Sequence, residues 1–263
     1  MIISLYMTTI MHGTMQTQDI IYQQSPQFLP IVSIRIENLL AYIREGLHES
    51  HPITHHYALK NIIELLKIIE KPELRSRYTK EFIRLEYTLS KVLPQQAPDL
   101  WQKFEETSIH LQNCVNRLSS PIFQDQFLQS LRMRIQENWQ ECELQTPQLY
   151  RWLHQPGHYR KECLKSWLND LQEIESIVQV YMNILRFFIH YSQVQVNQNY
   201  YHQLINGNPV CQLIVLKLDA QLPVIPKIQI GNNSLSIYFN DPIKVEEISS
   251  MKEFTIQLGI SRL

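Results

Sequence analysis

A cluster of histidines is the group of side chains in this sequence that comes nearest to a metal site. Segment 48–56 contains four of them, His48, His51, His55 and His56. His51 and His55 have the i, i+4 spacing that places two metal ligands on one face of a helix. Pro52 follows His51 directly, however, and disfavours helical geometry at the residue before it. A metal site also needs three or four converging ligands, so the sequence favours a polar connection between helices without a bound metal.

Covalent catalysis would need an activated nucleophile, and Cys163 is the best candidate for one. It lies near His154, His158 and Glu162 in the sequence, and a cysteine beside a histidine can act as a nucleophile. The segment has no glycine-rich turn to expose the thiol, and Cys163 falls beside the apolar stripe of a predicted helix. The four cysteines form no CxxC pair, a pattern typical of buried, reduced thiols. We therefore predict no catalytic residues, no cofactor and no enzymatic activity.

Basic side chains on helical segments could bind an acidic partner. Arg35 stands alone in SIRIENLL, and Arg132 and Arg134 occur together in LRMRI. A longer basic run, which includes Lys71 and Arg75, occupies EKPELRSRYTKEFIR. Such residues can recognise carboxylates, but they can equally be solvated charges or form Arg–Glu pairs between helices. The residues alone leave these alternatives open.

The composition excludes several classes of protein. The chain has 263 residues, of which 44% are hydrophobic and 19% charged, enough for one large or two small globular domains. Its net charge of −1 argues against a general nucleic-acid-binding protein. The first residues, MIISLYMTTIMHG, carry no Lys or Arg before the apolar run, unlike a signal peptide, and the run is too short to span a bilayer. We expect a cytoplasmic protein that is not inserted in a membrane.

The elements that must position these side chains are mostly helices. Apolar residues recur at helical spacing along most of the first 195 residues, as in Leu59, Ile62, Ile63, Leu66 and Ile69. Prolines such as Pro72 separate these stripes and mark helix boundaries. The longest stripe runs from Leu164 to Phe188 and predicts a single helix of about seven turns.

Beyond residue 195 the apolar period becomes two. Segments 213–218, 227–230, 235–239 and 254–258 read as strands, with Gly231-Asn232-Asn233 as a hairpin turn between the second and third. Segment 17–22 could add an N-terminal strand. The predicted fold class is α+β: mostly a helical bundle, with a small, mainly antiparallel β element formed by the C-terminal region and the N-terminal strand.

The predicted domains follow from this change of period. Residues 1–14 are expected to be a disordered extension from an upstream start, because methionines recur up to Met15. We expect residues 15–195 to form the helical domain, in which 15–24 could be a strand of the β element, and residues 196–263 to form the β-rich domain.

Four segments, spaced over most of 15–263, resemble the ZapD family of bacterial cell-division proteins. They are MQTQDIIYQQSPQFLPIVSIRIENLL, IEKPELRSRYTKEFIRLEYTL, LQTPQLYRWLHQP and QVNQNYYHQLINGNPVCQLIVLKLDAQLPVIPKI. No single segment is diagnostic, but their order and spacing together are specific.

The resemblance implies a function as well as a fold. Members of the family are non-enzymatic homodimers that bind the C-terminal peptide of the tubulin-like protein FtsZ and bundle its filaments. For this chain it implies a cytoplasmic division factor at the mid-cell ring, with FtsZ and a second copy of itself as partners and with no metal. An acidic and apolar peptide can be held by arginines beside an aromatic floor.

The resemblance also implies which residues bind. The positions that match the tail-binding site are Arg35, Arg132, Arg134, Tyr150, Trp152 and His154. Lys71, with the nearby Arg75, corresponds to a secondary basic surface. Gln126 and Tyr150 stand where relatives can carry Arg and His, which implies a less positive pocket than in those relatives.

Two other functions remain open at this point. One is a dimeric helical adaptor for a different acidic peptide, which the departures at Gln126 and Tyr150 suggest. The other is an enzyme or metal protein that uses the histidines.

Overall fold

The computed structural model describes residues 19–114, 118–134, 146–205, 207, 209–231, 233–241 and 253–263. The extension predicted at 1–14 lies outside these residues. The chain divides into two compact units, one formed by Ser33–Met182 and the other by Met1–Val32 with Asn183–Leu263. The first is helical, whereas the second contains the sheet.

Helices make up most of the chain between Phe28 and Phe187. They are α1 (Phe28–His48), α2 (Pro52–Ile69), α3 (Pro72–Leu89), α4 (Leu93–Gln96), α5 (Pro98–Asn113), a 3-10 turn (Ser120–Gln124), α6 (Gln126–Arg134), α7 (Pro147–Leu153), α8 (Gly157–Asp170) and α9 (Gln172–Phe187). Several begin at a proline, which suits the first turn because its missing N–H has no partner there in any helix. As the sequence predicts, His51 before Pro52 is extended, with φ −71° and ψ 137°.

Stacked aromatic rings form the centre of the helical unit. Phe82 of α3 stacks on Phe104 of α5 with ring centroids 5.1 Å apart. Tyr78 meets Tyr181 of α9 edge to face at 5.9 Å, and its hydroxyl is 2.7 Å from the hydroxyl of Ser33 on α1. The stripes predicted from the sequence therefore converge on one core.

The long helix predicted from Leu164 to Phe188 is wrong as a single helix. Leu171 interrupts it with φ −90° and ψ −2°, so that α8 ends at Asp170 and α9 begins at Gln172. The Ser119 hydroxyl accepts a hydrogen bond from the backbone N–H of Ile174 at 3.3 Å and caps the new helix. The apolar stripe continues across the break because both helices face the same core. The sequence pattern alone therefore does not reveal the break.

The second unit is built on one antiparallel sheet of the strands β1 (Asp19–Gln24), β2 (Ile189–Asn197), β3 (Tyr200–Leu204), β4 (Cys211–Asp219), β5 (Ile225–Ile230), β6 (Ser234–Asn240) and β7 (Glu253–Arg262). Their order across the sheet is β1-β4-β7-β2-β3-β6-β5. The N-terminal strand pairs with β4, Asp19 opposite Asp219. The α+β class, with an N-terminal strand completing a C-terminal sheet, is confirmed.

The sheet begins earlier than the change of period at residue 195 indicates. β2 starts at Ile189, directly after α9, and most of its residues are exposed. Because the apolar residues 187–189 prolong the helical stripe, the alternation of β2 is hidden in the sequence. The predicted hairpin is present as β5 and β6, and the Gly231 N–H donates to the Ser234 carbonyl at 2.8 Å.

Within the described residues, no helix combines the length and the apolar character that crossing a lipid bilayer requires.

Candidate partner-binding surface

Arg35 projects from the outer side of α1. Its neighbours Ile34 and Ile36 are buried, which fixes this stretch of helix against the core. The guanidinium forms an ion pair with Glu64 of α2, and the Arg35 side chain remains 46% exposed. Arg35 is therefore held in place and already binds a carboxylate, at a position that solvent can reach.

Arg132 on α6 has a comparable but drier environment. It forms an ion pair with Glu70, the residue that follows α2, and its side chain is only 18% exposed. The guanidinium also lies over the ring of Phe123, 5.1 Å from the centroid, an arrangement that favours the cation. Arg134 is the last residue of α6, and its side chain lies outside the described part of the structure.

The secondary basic surface begins where α2 gives way to α3. Lys71 follows Glu70 directly in the sequence and is the N-cap residue of α3, without a side-chain capping bond, and Arg75 lies one turn further along that helix. Glu70 itself pairs with Arg132.

The segment TPQLYRWLHQP forms the short helix α7, and its side chains point in two directions. Tyr150 and His154 are both exposed, and their rings lie 4.1 Å apart. The Nδ1–H of His154 donates to the Tyr150 carbonyl at 2.8 Å, which holds the imidazole against the phenol. Trp152 instead points inward and is 6% exposed.

Trp152 forms one wall of an aromatic groove. Its ring centroid is 5.8 Å from the ring centroids of both Phe127 and Trp167. With Asp125, Arg151 and Tyr159 they line a cavity of 500 Å³. The Asp125 carboxylate accepts from the Trp167 indole N–H at 2.9 Å and from the Leu128 backbone N–H at 2.8 Å. Asp125 therefore caps α6 and fixes one wall of the groove.

The two tryptophans of the groove differ in one hydrogen bond, which gives a testable prediction. The buried indole N–H of Trp152 has no partner among the described residues, whereas that of Trp167 binds Asp125. Both Trp→Phe substitutions remove similar ring area. We expect Trp167→Phe to lower the free energy of unfolding by about 1.5 kcal/mol more than Trp152→Phe, because it also removes a bond to a carboxylate. Urea unfolding of both variants measures the difference, and equal losses would contradict it.

The histidine cluster has a structural role here. The ring of His51 accepts a hydrogen bond from the Ile53 N–H at 3.3 Å and caps α2. His55 is fully buried and accepts a hydrogen bond from Arg160. In the part of the chain that the structure describes, no three His, Cys, Asp or Glu side chains are arranged to hold a metal ion. Cys163 lines the aromatic groove.

Several residues of this surface have no signal in the sequence. Glu64 and Glu70 look like ordinary solvated helix residues, and Phe123, Phe127 and Asp125 lie in a segment without a motif. Arg–Glu pairing between helices was the alternative open for the arginines, and the structure shows such pairs at Arg35 and Arg132. An arginine that binds a carboxylate within the chain can also exchange it for one from a partner.

Comparison with known proteins places the chain in a family. Residues 34–238 match the family model described as "ZapD: Cell division protein". This range contains all the helices except the start of α1, and it extends through most of β6.

Named relatives agree with that match. "Cell division protein ZapD" of Coxiella burnetii (strain RSA 331 / Henzerling II) is 24% identical over 234 residues, which cover 87% of this chain and 90% of the relative. The protein of the same name from Ralstonia nicotianae is 26% identical over 213 residues, covering 78% and 84%. That of Cupriavidus pinatubonensis is 23% identical over 212 residues, covering 78% and 84%. The chain therefore belongs to the ZapD family of cell division proteins.

Proposed function

We propose that this cell division protein is a non-enzymatic cross-linker that binds the C-terminal tail of FtsZ and bundles FtsZ filaments in the cytoplasm at the mid-cell ring. The observation that carries the proposal is that Arg35 and Arg132, both at positions expected to bind the tail, each hold a carboxylate of the α2 region. Their guanidinium groups are thus already oriented for a carboxylate.

The exchange of one carboxylate for another costs little at Arg35. Exposed ion pairs contribute only about 0–1 kcal/mol, so an acidic tail residue can displace Glu64 without a large loss of stability. Arg132 is more buried and rests on Phe123. A charge-assisted bond there is stronger because less water competes for it. In this proposal Arg35 captures the tail and Arg132 contributes more of the affinity.

The aromatic groove suits the apolar part of such a tail. Phe127, Trp152 and Trp167 offer ring faces, and Arg151 adds a cation at the rim. Large aromatic surfaces that exclude water supply much of the energy in peptide recognition. Tyr150 and His154, exposed on the same short helix, extend this surface outward.

Bundling requires two sites in one particle. A homodimer presents each tail site twice, so one particle can hold two filaments. Because a filament displays many tails, binding at the second site becomes an intramolecular event with a high effective concentration. Modest affinity at each site is then enough for stable cross-links.

The proposal predicts that Arg35→Ala loses up to about fivefold in tail affinity, the effect of one exposed charge pair worth about 0–1 kcal/mol. The matched control is Arg44→Ala. Arg44 lies on the same helix, is 47% exposed and pairs with Glu175. Co-sedimentation with GTP-assembled FtsZ, with and without its C-terminal peptide, measures the effect. We expect tail-dependent pelleting for the wild type and Arg44→Ala, and reduced pelleting for Arg35→Ala.

Glu64→Gln should act in the opposite direction. It removes the internal competitor for Arg35 and is expected to strengthen tail binding. Pelleting that is independent of the tail, or equal losses for Arg35→Ala and Arg44→Ala, would overturn the assignment of Arg35 to the site.

A second candidate is an adaptor for another acidic peptide, favoured by the departures at Gln126 and Tyr150. Comparing the FtsZ tail peptide with a scrambled peptide of the same composition separates the two functions. Equal affinities would favour the adaptor, because charge alone would then explain binding.

A further inference from the structure

Arg160, near the start of α8, is a buried cation whose hydrogen bonds to the described residues all go to neutral acceptors. It is 3% exposed. Its Nε–H donates to Nδ1 of His55 at 2.8 Å, and its Nη2 donates to the Ser50 carbonyl at 2.6 Å. Its Nη1 donates to the Leu153 carbonyl at 2.8 Å and also to that of Gln155. The guanidinium thus binds two separate connections of the fold at once.

One of these connections carries the tail-binding surface. Leu153 and Gln155 flank His154 at the end of α7, where Tyr150 and Trp152 also lie. The other connection is the turn between α1 and α2. Ser50 lies in this turn, and His55 lies in the first turn of α2. The two approach closely, since a Cβ added to Gly157 would lie 3.0 Å from the Cβ of Ser50.

The protonation state of His55 is fixed by its two neighbours. Its Nε2–H donates to the Glu49 carbonyl at 2.9 Å, so Nδ1 must be the unprotonated acceptor for Arg160. A second proton on Nδ1 would place its N–H opposite the Nε–H of Arg160, so that no acceptor remains between them. It would also place a charged imidazolium beside the charged guanidinium. The hydrogen bond from Arg160 to His55 therefore requires a neutral imidazole.

We propose that Arg160 is a positioning residue for the partner-binding surface: it clamps the end of α7 to the α1–α2 turn, and neutral His55 completes the clamp. The proposal deepens the proposed function and rests on it, because it concerns how the same surface is presented. When His55 becomes protonated, the clamp loses one of its bonds and the α7–α8 connection loosens.

Several charged and titratable groups surround His55. Burial lowers the pKa of His55, the charges of Arg160 and Lys161 on α8 lower it further, and the carbonyls of Glu49 and Gly46 act in the opposite direction. His48 ends α1, His51 precedes α2, and His56 lies beside His55 in the first turns of α2.

The direction of the pH effect follows from the lowered pKa of His55. The clamp is complete above the usual histidine pKa of about 6.5 and weakens as the pH falls through the lower value in the folded protein.

Hydrogen exchange of the protein alone tests the clamp without any partner. At pH 7.5 we expect Arg160→Lys, which cannot reach all four acceptors, to speed exchange of the amides of α7 and of residues 49–53 by about tenfold, the effect of one or two lost bonds. Exchange in α5 should stay unchanged. Lys161→Ala is the matched control on the same helix, because among the described residues Lys161 donates only to the His48 carbonyl, at 3.5 Å. If Arg160→Lys, Lys161→Ala and the wild type exchange these amides at equal rates, the proposed clamp is refuted.

A pH profile tests the role of His55. His55→Asn keeps an acceptor for Arg160 but cannot be protonated. Because amide exchange is intrinsically slower at lower pH, the rates are compared as protection factors. Between pH 7.5 and 5.5 we expect the protection of α7 to fall in the wild type more than in His55→Asn, and the affinity of a labelled FtsZ tail peptide to fall more. Parallel profiles for the two proteins would refute the proton dependence. Absence of peptide binding at any pH, with exchange behaving as expected, would refute the proposed function and leave the clamp standing.

Discussion

Replacing Phe82 by alanine is expected to lower the free energy of unfolding by about 3–5 kcal/mol. Phe82 is 1% exposed and lies at the centre of the helical unit. It stacks on Phe104 and also contacts Tyr181 at 6.5 Å between ring centroids. Removing the ring leaves a cavity between α3, α5 and α9 that rigid aromatic neighbours cannot fill. The loss of unfolding free energy is therefore expected at the upper end of the range for buried residues.

The next residue provides the control. Ile83 is 52% exposed on the same helix, so Ile83→Ala should change stability by no more than about 0.5 kcal/mol. Urea unfolding followed by circular dichroism measures both. A loss for Phe82→Ala of the size seen for Ile83→Ala would mean that the aromatic stack is not the core of this unit.

Gly46→Ala is expected to destabilise the helical unit, although alanine is the better helix former by about 1 kcal/mol. Gly46 lies on α1 and faces Ala58 of α2. A Cβ at this position would lie 2.7 Å from the Cβ of Ala58, which is attached to the backbone and cannot rotate away. Overpacking of this kind costs about 1–3 kcal/mol, and α1 and α2 must separate to relieve it.

The exchange of the two residues tests this explanation. Ala58→Gly removes the atom that clashes, and the other neighbours of a Cβ at position 46 lie at 3.8 Å or beyond. The double variant should therefore be more stable than Gly46→Ala alone, even though Ala58→Gly alone is destabilising. Additive losses in this double-mutant cycle would show that the two positions are not in contact.

Much of the fold follows from residue periods and prolines. The stripe that includes Leu59, Ile62 and Leu66 gives α2 and its buried face, and Pro52 and Pro72 mark where α2 and α3 begin. Two features escape this reasoning. The break at Leu171 leaves the apolar stripe intact, and β2 and β3 expose most of their side chains, so neither has a strong period.

The candidate surface was predictable only in part. Helical spacing separates Trp152 from Tyr150 and His154, and burial of Trp152 agrees with the usual position of a large aromatic residue. The partners of the arginines could not be predicted. Arg35 meets Glu64 and Arg132 meets Glu70 only because α1 and α6 both pack near α2, and such pairings depend on tertiary structure.

The position of β7 has a consequence for how the chain is made. β7 lies in the middle of the sheet, between β4 and β2, yet it comes from residues 253–262. On the ribosome, the nascent chain can therefore form the pair β1–β4 and the group β2–β3–β6–β5 before any strand joins them. Residues 33–182 of the helical unit are synthesised earlier, so this unit can fold before β7 is made. A message truncated before codon 253 would yield a helical unit attached to two unjoined half-sheets with open edges, a form that is prone to aggregate.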